Sequence, residues 1–247
     1  MTAARPTAGR IVLLLALLAL TTMFVALAVW QVERRAWKHA LIERVDQRVH
    51  ATPVDAPGRA RWPLVTPSDD EYRHVRVDGS FVPSRETFVQ AVTVFGAGYW
   101  LIVPLRRDDG TLVLVNRGFV ASADPERLAA SPERAVVTGL LRVTEPGGHF
   151  LRHNDAEKER WYSRDVQAIA TARGLQDVAP YFVDADADPA NAADGGEGAV
   201  ARGAPVGGLT VIAFPDNHLL YAIIWSLLAT MVAWAAIRVI RGAPAGP

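Results

Sequence analysis

Two long uncharged runs of apolar residues, one near each end, constrain the fold of this chain more than any other feature. The first, Ile11–Trp30, is dominated by Leu, Ala and Val, and the second, Leu219–Ile237, is closed by Arg238 and Arg241. At about 1.5 Å rise per residue, a helix of either length covers most or all of the roughly 30 Å hydrocarbon core of a bilayer. The sequence therefore predicts two transmembrane helices, over residues 11–30 and 219–237.

A cleaved signal peptide is the alternative interpretation of the first apolar run. Arg5 and Arg10 would then form the basic n-region, and Ala26-Leu27-Ala28 has the small-x-small pattern of a cleavage site. The uncharged stretch, however, is longer than the roughly 7–15 residues of a signal-peptide core. Its length therefore favours a retained membrane anchor.

The membrane topology follows from the two tails and the long central segment. Two spans place both chain ends on one side of the membrane, and the tails at residues 1–10 and 238–247 are short and basic. Short basic tails stay in the cytoplasm, whereas a loop far longer than about 60 residues is translocated whatever its charge. The N-terminal tail also lacks the Ser- and Arg-rich pattern of a mitochondrial presequence. We therefore expect a bacterial plasma membrane protein with cytoplasmic termini and a periplasmic or extracellular central domain.

The central segment, residues 31–218, carries nearly all of the charge, proline and glycine and is long enough to form its own hydrophobic core. The chain has 26 basic and 26 acidic residues, so its composition indicates no polybasic surface for nucleic acid. It has no cysteine, which excludes disulfides, thiol catalysis and metal sites built on thiolate.

A period of two appears from residue 72 onward and predicts a series of strands. The strand-like runs are Tyr72–Val77, Thr87–Val94, Tyr99–Leu105, Thr111–Asn116, Ala135–Val143 and Pro180–Asp184. Gly96-Ala97-Gly98 and Asp108-Asp109-Gly110 are predicted hairpin turns. The fold class expected is therefore α+β, with two membrane helices flanking an antiparallel β-rich domain that could curl into a barrel.

The remaining segments are assigned by helix pattern and composition. The residues from Trp30 to about Val49 continue the first helix beyond the membrane, and Asp155–Arg173 has a helical pattern that stops at Gly174. Thr52–Pro67 is rich in proline and is expected to be a linker or loop. Asp186–Pro205 holds few large apolar side chains and is expected to be a flexible loop.

Sequence templates for catalysis are absent, so we expect a protein that is not an enzyme. The chain has no glycine-rich phosphate loop, no His-Glu-x-x-His and no Gly-x-Ser-x-Gly. Asp184, Asp186 and Asp188 have the spacing that begins a calcium loop, but the required glycine and distal glutamate are missing. These three aspartates are therefore expected to lie in a solvated acidic loop.

Two residues remain as candidates for binding a cofactor. His218 stands at the outer end of the second span, where its imidazole could be an axial haem ligand or a polar group seated at the interface beside Tyr221. Asp216 or Asn217 could cap the helix that follows. Arg117 closes a strand, where its guanidinium could pair with a porphyrin propionate or form a structural ion pair.

Several blocks of residues, in this order, resemble the surfeit-locus family of cytochrome c oxidase assembly factors. The blocks are Trp30-Gln31-Val32-Glu33-Arg34-Arg35-Ala36-Trp37-Lys38, Tyr72–Phe81, Val113–Val120, Phe150-Leu151 with Asn154-Asp155, Trp161–Asp165, Pro205–Gly208 and Asn217–Ala222. The resemblance covers residues 28 to 230. The chain departs from the family pattern at Ala28, Phe119 and Asp216, where the family usually has glycine, tryptophan and asparagine.

The resemblance implies assembly of haem–copper oxidase, with help in placing haem a into subunit I. It implies that His218 is the axial ligand of the haem iron, that Tyr221 contacts the cofactor and that Arg117 steers the propionates. The partners implied are cytochrome c oxidase subunit I, haem a synthase and the lipid bilayer. The alternative within the same family is a structural stabiliser of an oxidase assembly intermediate that does not bind haem. A membrane-anchored sensor is disfavoured because tails of about ten residues leave no room for a cytoplasmic output element.

Overall fold

The computed structural model describes residues 8–127, 134–148, 152–192, 196–212 and 216–242. The chain divides into two compact units. The helical unit comprises residues 1–44 and 213–247, and the β unit comprises residues 45–212. The predicted tail residue Arg5 and the quoted pair Phe150-Leu151 lie outside the described residues.

The helical unit is built from two long apolar helices. Helix α1 runs from Ala8 to Val49, with residues 45–49 counted in the β unit, and helix α6 runs from His218 to Arg241. Both are long and apolar enough to cross a bilayer, and most of their large apolar side chains are exposed. Exposed apolar surface all along a helix is typical of a membrane span rather than of a core helix. The two predicted helices, and the extension of the first one to Val49, are confirmed.

The two helices of this unit pack against each other antiparallel. The guanidinium of Arg10, near the start of α1, donates hydrogen bonds of 2.8 and 2.9 Å to the carbonyls of Val239 and Ile240 near the end of α6. These carbonyls are among the last four of the helix, which have no partner within it. Farther along, the rings of Phe24 and Trp225 stack with centroids 5.7 Å apart. The beginning of α1 and the end of α6 therefore lie side by side.

The β unit is a closed five-stranded barrel with two additional strands. Its strands are β1 (Val54–Asp55), β2 (His74–Phe81), β3 (Thr87–Thr93), β4 (Gly96–Arg106), β5 (Leu112–Val120), β6 (Arg134–Val143) and β7 (Val178–Ala185). The order β2-β6-β7-β5-β4 closes because β2 also pairs with β4, while β1 and β3 extend the sheet beyond β2 and β4. The β1–β2 and β5–β7 pairs are parallel and the others antiparallel. The predicted β-rich domain is thus confirmed, and it is a barrel.

A glycine allows the barrel to close. Ser80 and Phe81 of β2 pair with Arg106 and Leu105 of β4, while the preceding residues of β2 pair with β6. A Cβ atom on Gly79 would overlap the carbonyl oxygen of Arg106. Only a residue without a side chain lets the two strands approach this closely.

The interior of the barrel is apolar, and a second apolar cluster lies between the sheet and helix α3 (Val166–Ala172). The interior cluster includes Val75, Val77, Leu105, Val113, Val115, Leu141, Tyr181 and Val183. The second cluster includes Val89, Ile102, Leu114, Trp161, Val166, Ile169 and Phe182. Because β5 and β7 contribute to both clusters, they read as nearly continuous apolar runs.

The predicted helix over residues 155–173 is wrong in its first half, since only α3 is helical. Asp165 caps α3 by accepting a hydrogen bond of 3.1 Å from the backbone N–H of Ala168. Just before the cap, Trp161 forms a bridge to the edge strand β3, and its carbonyl accepts from the N–H of Gln90 at 2.8 Å. Pairing with the sheet edge thus uses the backbone group that a longer helix would need.

Two segments expected to lack structure are folded in part. In Asp186–Pro205 the structure has two short helices, α4 (Pro189–Ala192) and α5 (Glu197–Ala201), and Ala199 is buried beside the ring of Phe95. In Thr52–Pro67 it has β1 and a 3₁₀ helix, Arg59–Leu64. There the carbonyl of Pro57 accepts a 2.6 Å hydrogen bond from the buried hydroxyl of Tyr181. The second segment continues into α2, Pro67–Asp70.

The predicted turn at Gly96–Gly98 is also wrong, because these residues begin β4 and the turn lies at Val94 and Phe95. A Cβ atom on Gly98 would lie 2.5 Å from the ring of Phe119. This glycine therefore serves close packing rather than chain reversal. The turn at Asp108-Asp109-Gly110 is confirmed, with Gly110 at a φ of +82°.

Candidate functional site

His218 is the first residue of α6, and a carboxylate fixes its backbone. The N–H of His218 donates a 3.1 Å hydrogen bond to Oδ1 of Asp216. Asn217 occupies the N-cap position, but its side chain makes no capping hydrogen bond. Of the two predicted capping residues, Asp216 is therefore the one whose side chain binds a free N–H at the helix start.

The imidazole of His218 is held by a buried glutamine from α1. Its Nδ1 lies 2.7 Å from Oε1 of Gln31, whose side chain is 8% exposed. An amide oxygen only accepts hydrogen bonds, so Nδ1 carries the proton of the neutral ring. The lone pair of the ring is consequently on Nε2. A ligating histidine is commonly oriented in this way, with its other N–H held by a protein acceptor.

Asp216 connects His218 to two basic side chains of α1. Its Oδ2 lies 2.7 Å from Nε2 of His39 and 3.6 Å from Nε of Arg35. The N–H of His218 and the side chain of His39 hold the pKa of Asp216 below its usual value. We name these residues the His218 cluster: Gln31, Arg35, His39, Asp216 and His218. The cluster fixes the orientation of one imidazole with an ionised carboxylate nearby.

Sequence reasoning found His218 but not the role of Gln31. Gln31 belongs to the family-like block Trp30–Lys38, but its hydrogen-bond partner His218 is 187 positions away in the sequence. A polar residue directly after an uncharged span was the signal that could have indicated it. Tyr221 lies one turn after His218 on α6 with its side chain about half exposed. Its contact with a cofactor stays a prediction.

Arg117 belongs to the β unit. Its guanidinium carbon lies 5.2 Å from the ring centroid of Phe81, and both residues line a cavity of about 290 Å3. Burial lowers the pKa of Arg117, against the opposing charges of Asp188 and Glu86. The alternatives for this side chain, a structural ion pair or a contact to propionates, both stay predictions.

A buried cluster of charged residues in the β unit was not predicted. Asp184, at the end of β7, is 4% exposed, so the expectation that it lies in a solvated acidic loop is wrong. One oxygen, Oδ1, accepts from Arg164 Nη1 at 3.0 Å and from the amide of Asn116 at 2.8 Å. The other, Oδ2, accepts from Arg142 Nη1 at 3.0 Å and from the hydroxyl of Thr210 at 2.9 Å.

Two glutamates complete this ion cluster. Glu71 accepts from Nε of Arg142 at 2.7 Å, and Glu145 accepts from Nη2 of Arg164 at 2.5 Å. Each guanidinium is therefore shared between Asp184 and one glutamate. The cluster joins β5, β6, β7 and the residues before α3, and it lies against a cavity of about 450 Å3. Because its charged groups satisfy one another, we assign it a structural role.

No group of three or more His, Asp or Glu side chains suited to a metal ion occurs in the described parts of the chain.

One histidine of the β unit should make stability depend on pH. Nε2 of His74 lies 2.8 Å from Oδ2 of Asp186, and Nδ1 lies 2.9 Å from the carbonyl oxygen of Ala51. Burial acts to lower the pKa of His74, but the hydrogen bonds to Asp186 and Ala51 outweigh it and raise the pKa above 6.5. The protonated ring therefore stabilises the fold fully below that pH, and this contribution is lost as the pH rises through the folded-state pKa.

We expect the melting temperature of the β unit to fall between pH of about 6 and about 8, over which an imidazole of raised pKa loses its proton. In His74→Gln this part of the pH dependence should disappear. Thermal melts of both proteins followed by circular dichroism measure the difference. If the melting temperatures of the two proteins change in parallel over this pH range, the His74–Asp186 pair does not contribute to the pH dependence of stability.

Comparison with known proteins identifies relatives along most of the chain. The model of the SURF1 family matches residues 18–230. Surfeit locus protein 1 of Homo sapiens is 32% identical over 241 residues, covering 88% of this chain and 74% of that protein. Surfeit locus protein 1 of Rattus norvegicus is 31% identical over 230 residues, covering 84% and 70%. The SURF1-like protein of Monosiga brevicollis is 31% identical over 244 residues, covering 90% and 86%.

The matched region includes most of α1, the whole barrel, the His218 cluster and the first half of α6. The resemblance inferred from the ordered sequence blocks is thereby confirmed. This chain belongs to the SURF1 family.

Proposed function

We propose that this protein is an assembly factor for haem–copper oxidase that holds haem a through His218 and delivers it to subunit I. The observation that supports this most directly is the 2.7 Å contact between Nδ1 of His218 and Oε1 of the buried Gln31. It fixes the tautomer and leaves the lone pair of Nε2 for a ligand. A haem bound there would supply an iron centre, and His218 is the residue that would hold it.

The position of His218 suits an amphiphilic ligand supplied from the membrane. It begins a helix that is long and apolar enough to span a bilayer. A haem released near the membrane surface by haem a synthase would meet the imidazole at that depth. We further propose a bacterial plasma membrane location, with cytoplasmic termini and the β unit in the periplasm or outside the cell. In this proposal the protein binds and releases its cargo and catalyses no reaction.

A second candidate function is a structural stabiliser of an oxidase assembly intermediate that does not bind haem. The contact that favours it is the same one, because the Gln31–His218 hydrogen bond also joins the two membrane helices. On this view the imidazole is a packing group between α1 and α6. The two candidates differ in what happens to haem content when His218 is changed.

The test is to purify the full-length protein from cells that make haem a and record its absorption spectrum and haem-to-protein ratio. We expect a haem a spectrum in the wild type and at least a tenfold lower haem content in His218→Ala. The control is His50, an exposed residue outside the His218 cluster, because His50→Ala should keep the haem content of the wild type. A wild type without haem, or an unchanged spectrum in His218→Ala, would refute haem ligation by His218.

Substitutions of Gln31 show, in the same experiment, whether its hydrogen bond positions His218 for haem or only packs the two helices together. Gln31→Leu removes the acceptor for Nδ1 and should lower haem affinity by roughly 10–100-fold, the usual effect of losing a group that orients a metal ligand. Gln31→Glu keeps an acceptor oxygen in the same place and should retain the haem. If both variants bind haem as the wild type does, the hydrogen bond only joins the helices.

A further inference from the structure

Three valines of the β unit are far more exposed to solvent than is usual for apolar side chains. The side chains of Val92, Val94 and Val211 are 85%, 88% and 83% exposed, the highest values among the large apolar residues that the structure describes. Val92 and Val94 belong to the β3–β4 hairpin, whereas Val211 is more than 110 positions later in the sequence. All three nevertheless line one cavity of about 450 Å3. We call these three residues the valine rim.

The segments that carry the valine rim contain no charged residue. Residues 87–105 and residues 203–215 have no Asp, Glu, Lys, Arg or His, although such residues make up much of the rest of the central domain. Surfaces exposed to water normally carry many charged side chains. An exposed apolar patch marks a site of interaction with a protein, a membrane or a ligand. The absence of charge over two separate segments that meet in space indicates an apolar partner.

The chain itself limits where the valine rim can be. Only six residues separate Val211 from His218, where the second membrane helix begins. An extended chain of that length reaches at most roughly 25 Å. Val211 is therefore held within roughly 25 Å of the residue at which the second apolar helix begins.

The aromatic residues beside the valine rim fit the same partner. Tyr99 and Trp100 on β4 are half-buried, and Trp100 lines the same cavity as the three valines. Rings that combine an apolar body with one polar group are enriched at the level of lipid headgroups. Arg142 and Arg164 also line this cavity, but both are paired with Asp184. The valine rim therefore supplies the unpartnered surface.

We propose that the valine rim docks onto the outer surface of the lipid bilayer, with Val92, Val94 and Val211 in the interfacial region. The uncharged hairpin then acts as a third membrane contact besides the two helices. This contact restricts rotation of the β unit about its two connections to the membrane. The inference is independent of haem binding, because it depends only on exposure, charge and tether length.

Because the chain lacks cysteine, a single engineered cysteine can report on this contact. Val94→Cys in the full-length protein is labelled with the polarity-sensitive fluorophore NBD and reconstituted into phosphatidylcholine–phosphatidylglycerol vesicles. The matched control is Val136→Cys, an exposed valine on β6 that lies outside the rim and is 63% exposed. Val211→Cys repeats the measurement on the second segment and serves if Val94→Cys does not fold.

We expect the label at residue 94 to emit at shorter wavelength than the label at residue 136. Doxyl-labelled lipid should quench it roughly twofold, while aqueous iodide should quench only the control, as expected for a group in the bilayer interface. The proposal is overturned if the label at 94 matches the control. It is equally overturned if the emission is shifted but doxyl lipid has no effect, because the rim is then covered by protein.

Discussion

Replacing Asp184 with alanine should lower the free energy of unfolding of the β unit by roughly 3–5 kcal/mol, the usual cost of removing one member of a buried charged cluster. The Nη1 atoms of Arg142 and Arg164 both donate to this carboxylate. Glu71 and Glu145 still accept from other nitrogens of the two guanidiniums, but they do not replace the lost acceptor. A buried donor without an acceptor retains its full desolvation cost.

In thermal melts followed by circular dichroism near the sheet minimum, this loss should appear as a fall in melting temperature of roughly 10 °C for a unit of this size. Asp184→Asn keeps the volume and one acceptor oxygen and should lie between the wild type and Asp184→Ala. Asp108→Ala is the matched control. Asp108 pairs with Arg134 at 2.8 Å, but both side chains are largely exposed. The melting temperature of Asp108→Ala should therefore equal that of the wild type. Equal melting temperatures for Asp184→Ala and Asp108→Ala would show that the cluster does not stabilise the barrel.

The contrast between Asp184 and the membrane helices shows which features a sequence reveals. The spans and most strands could be predicted because their signal is local, either an uncharged run or a period of two. The environment of Asp184 is not local. Asp186 and Asp188 follow it at a spacing typical of a solvated loop, whereas its partners Arg142 and Arg164 come from β6 and the residues before α3. No short window of sequence contains that information.

The same reasoning explains the helix that was predicted too long. Residues 155–165 have an acceptable helical pattern, but the backbone of Trp161 pairs with β3 and its side chain fills the cluster beneath α3. Burial of a large aromatic ring contributes more than helix propensity, which amounts to a few tenths of a kcal/mol per residue. Tertiary packing therefore decided the structure of this segment.

At the candidate site, the sequence indicated one residue and the fold supplied its partner. His218 could be chosen because it stands at the edge of a span and matches the family block. That its Nδ1 faces Gln31 depends on how α1 and α6 are aligned, which apolar composition does not determine. The alignment depends on interhelical contacts such as the stack of Phe24 on Trp225.

A substitution at Gly118 should have a comparably large effect on the barrel. Gly118 follows Arg117 on β5 and has a φ of +122°, a conformation that side chains strongly disfavour. A Cβ atom there would also overlap the carbonyl of Val206. That close approach lets Phe119 and Val206 exchange two backbone hydrogen bonds, of 2.8 and 3.0 Å. The absence of a side chain at residue 118 thus lets two sequence blocks, Val113–Val120 and Pro205–Gly208, contact each other in the fold.

Gly118→Ala combines backbone strain with overpacking against a backbone atom, so we expect it to destabilise the β unit by roughly 3–5 kcal/mol. Gly110→Ala separates the two causes, because Gly110 also has a positive φ, +82°, but open space around its Cβ position. That control should cost only roughly 1–2 kcal/mol of strain. Urea unfolding of both variants in detergent gives the comparison. Equal losses would mean that strain alone explains the glycine. A larger loss in Gly118→Ala would show that the close approach of Val206 to β5 also stabilises the β unit. The N–H of Gly118 donates to Oδ1 of Asn116, whose side-chain amide in turn donates to the buried Asp184, so this approach lies next to the buried ion cluster.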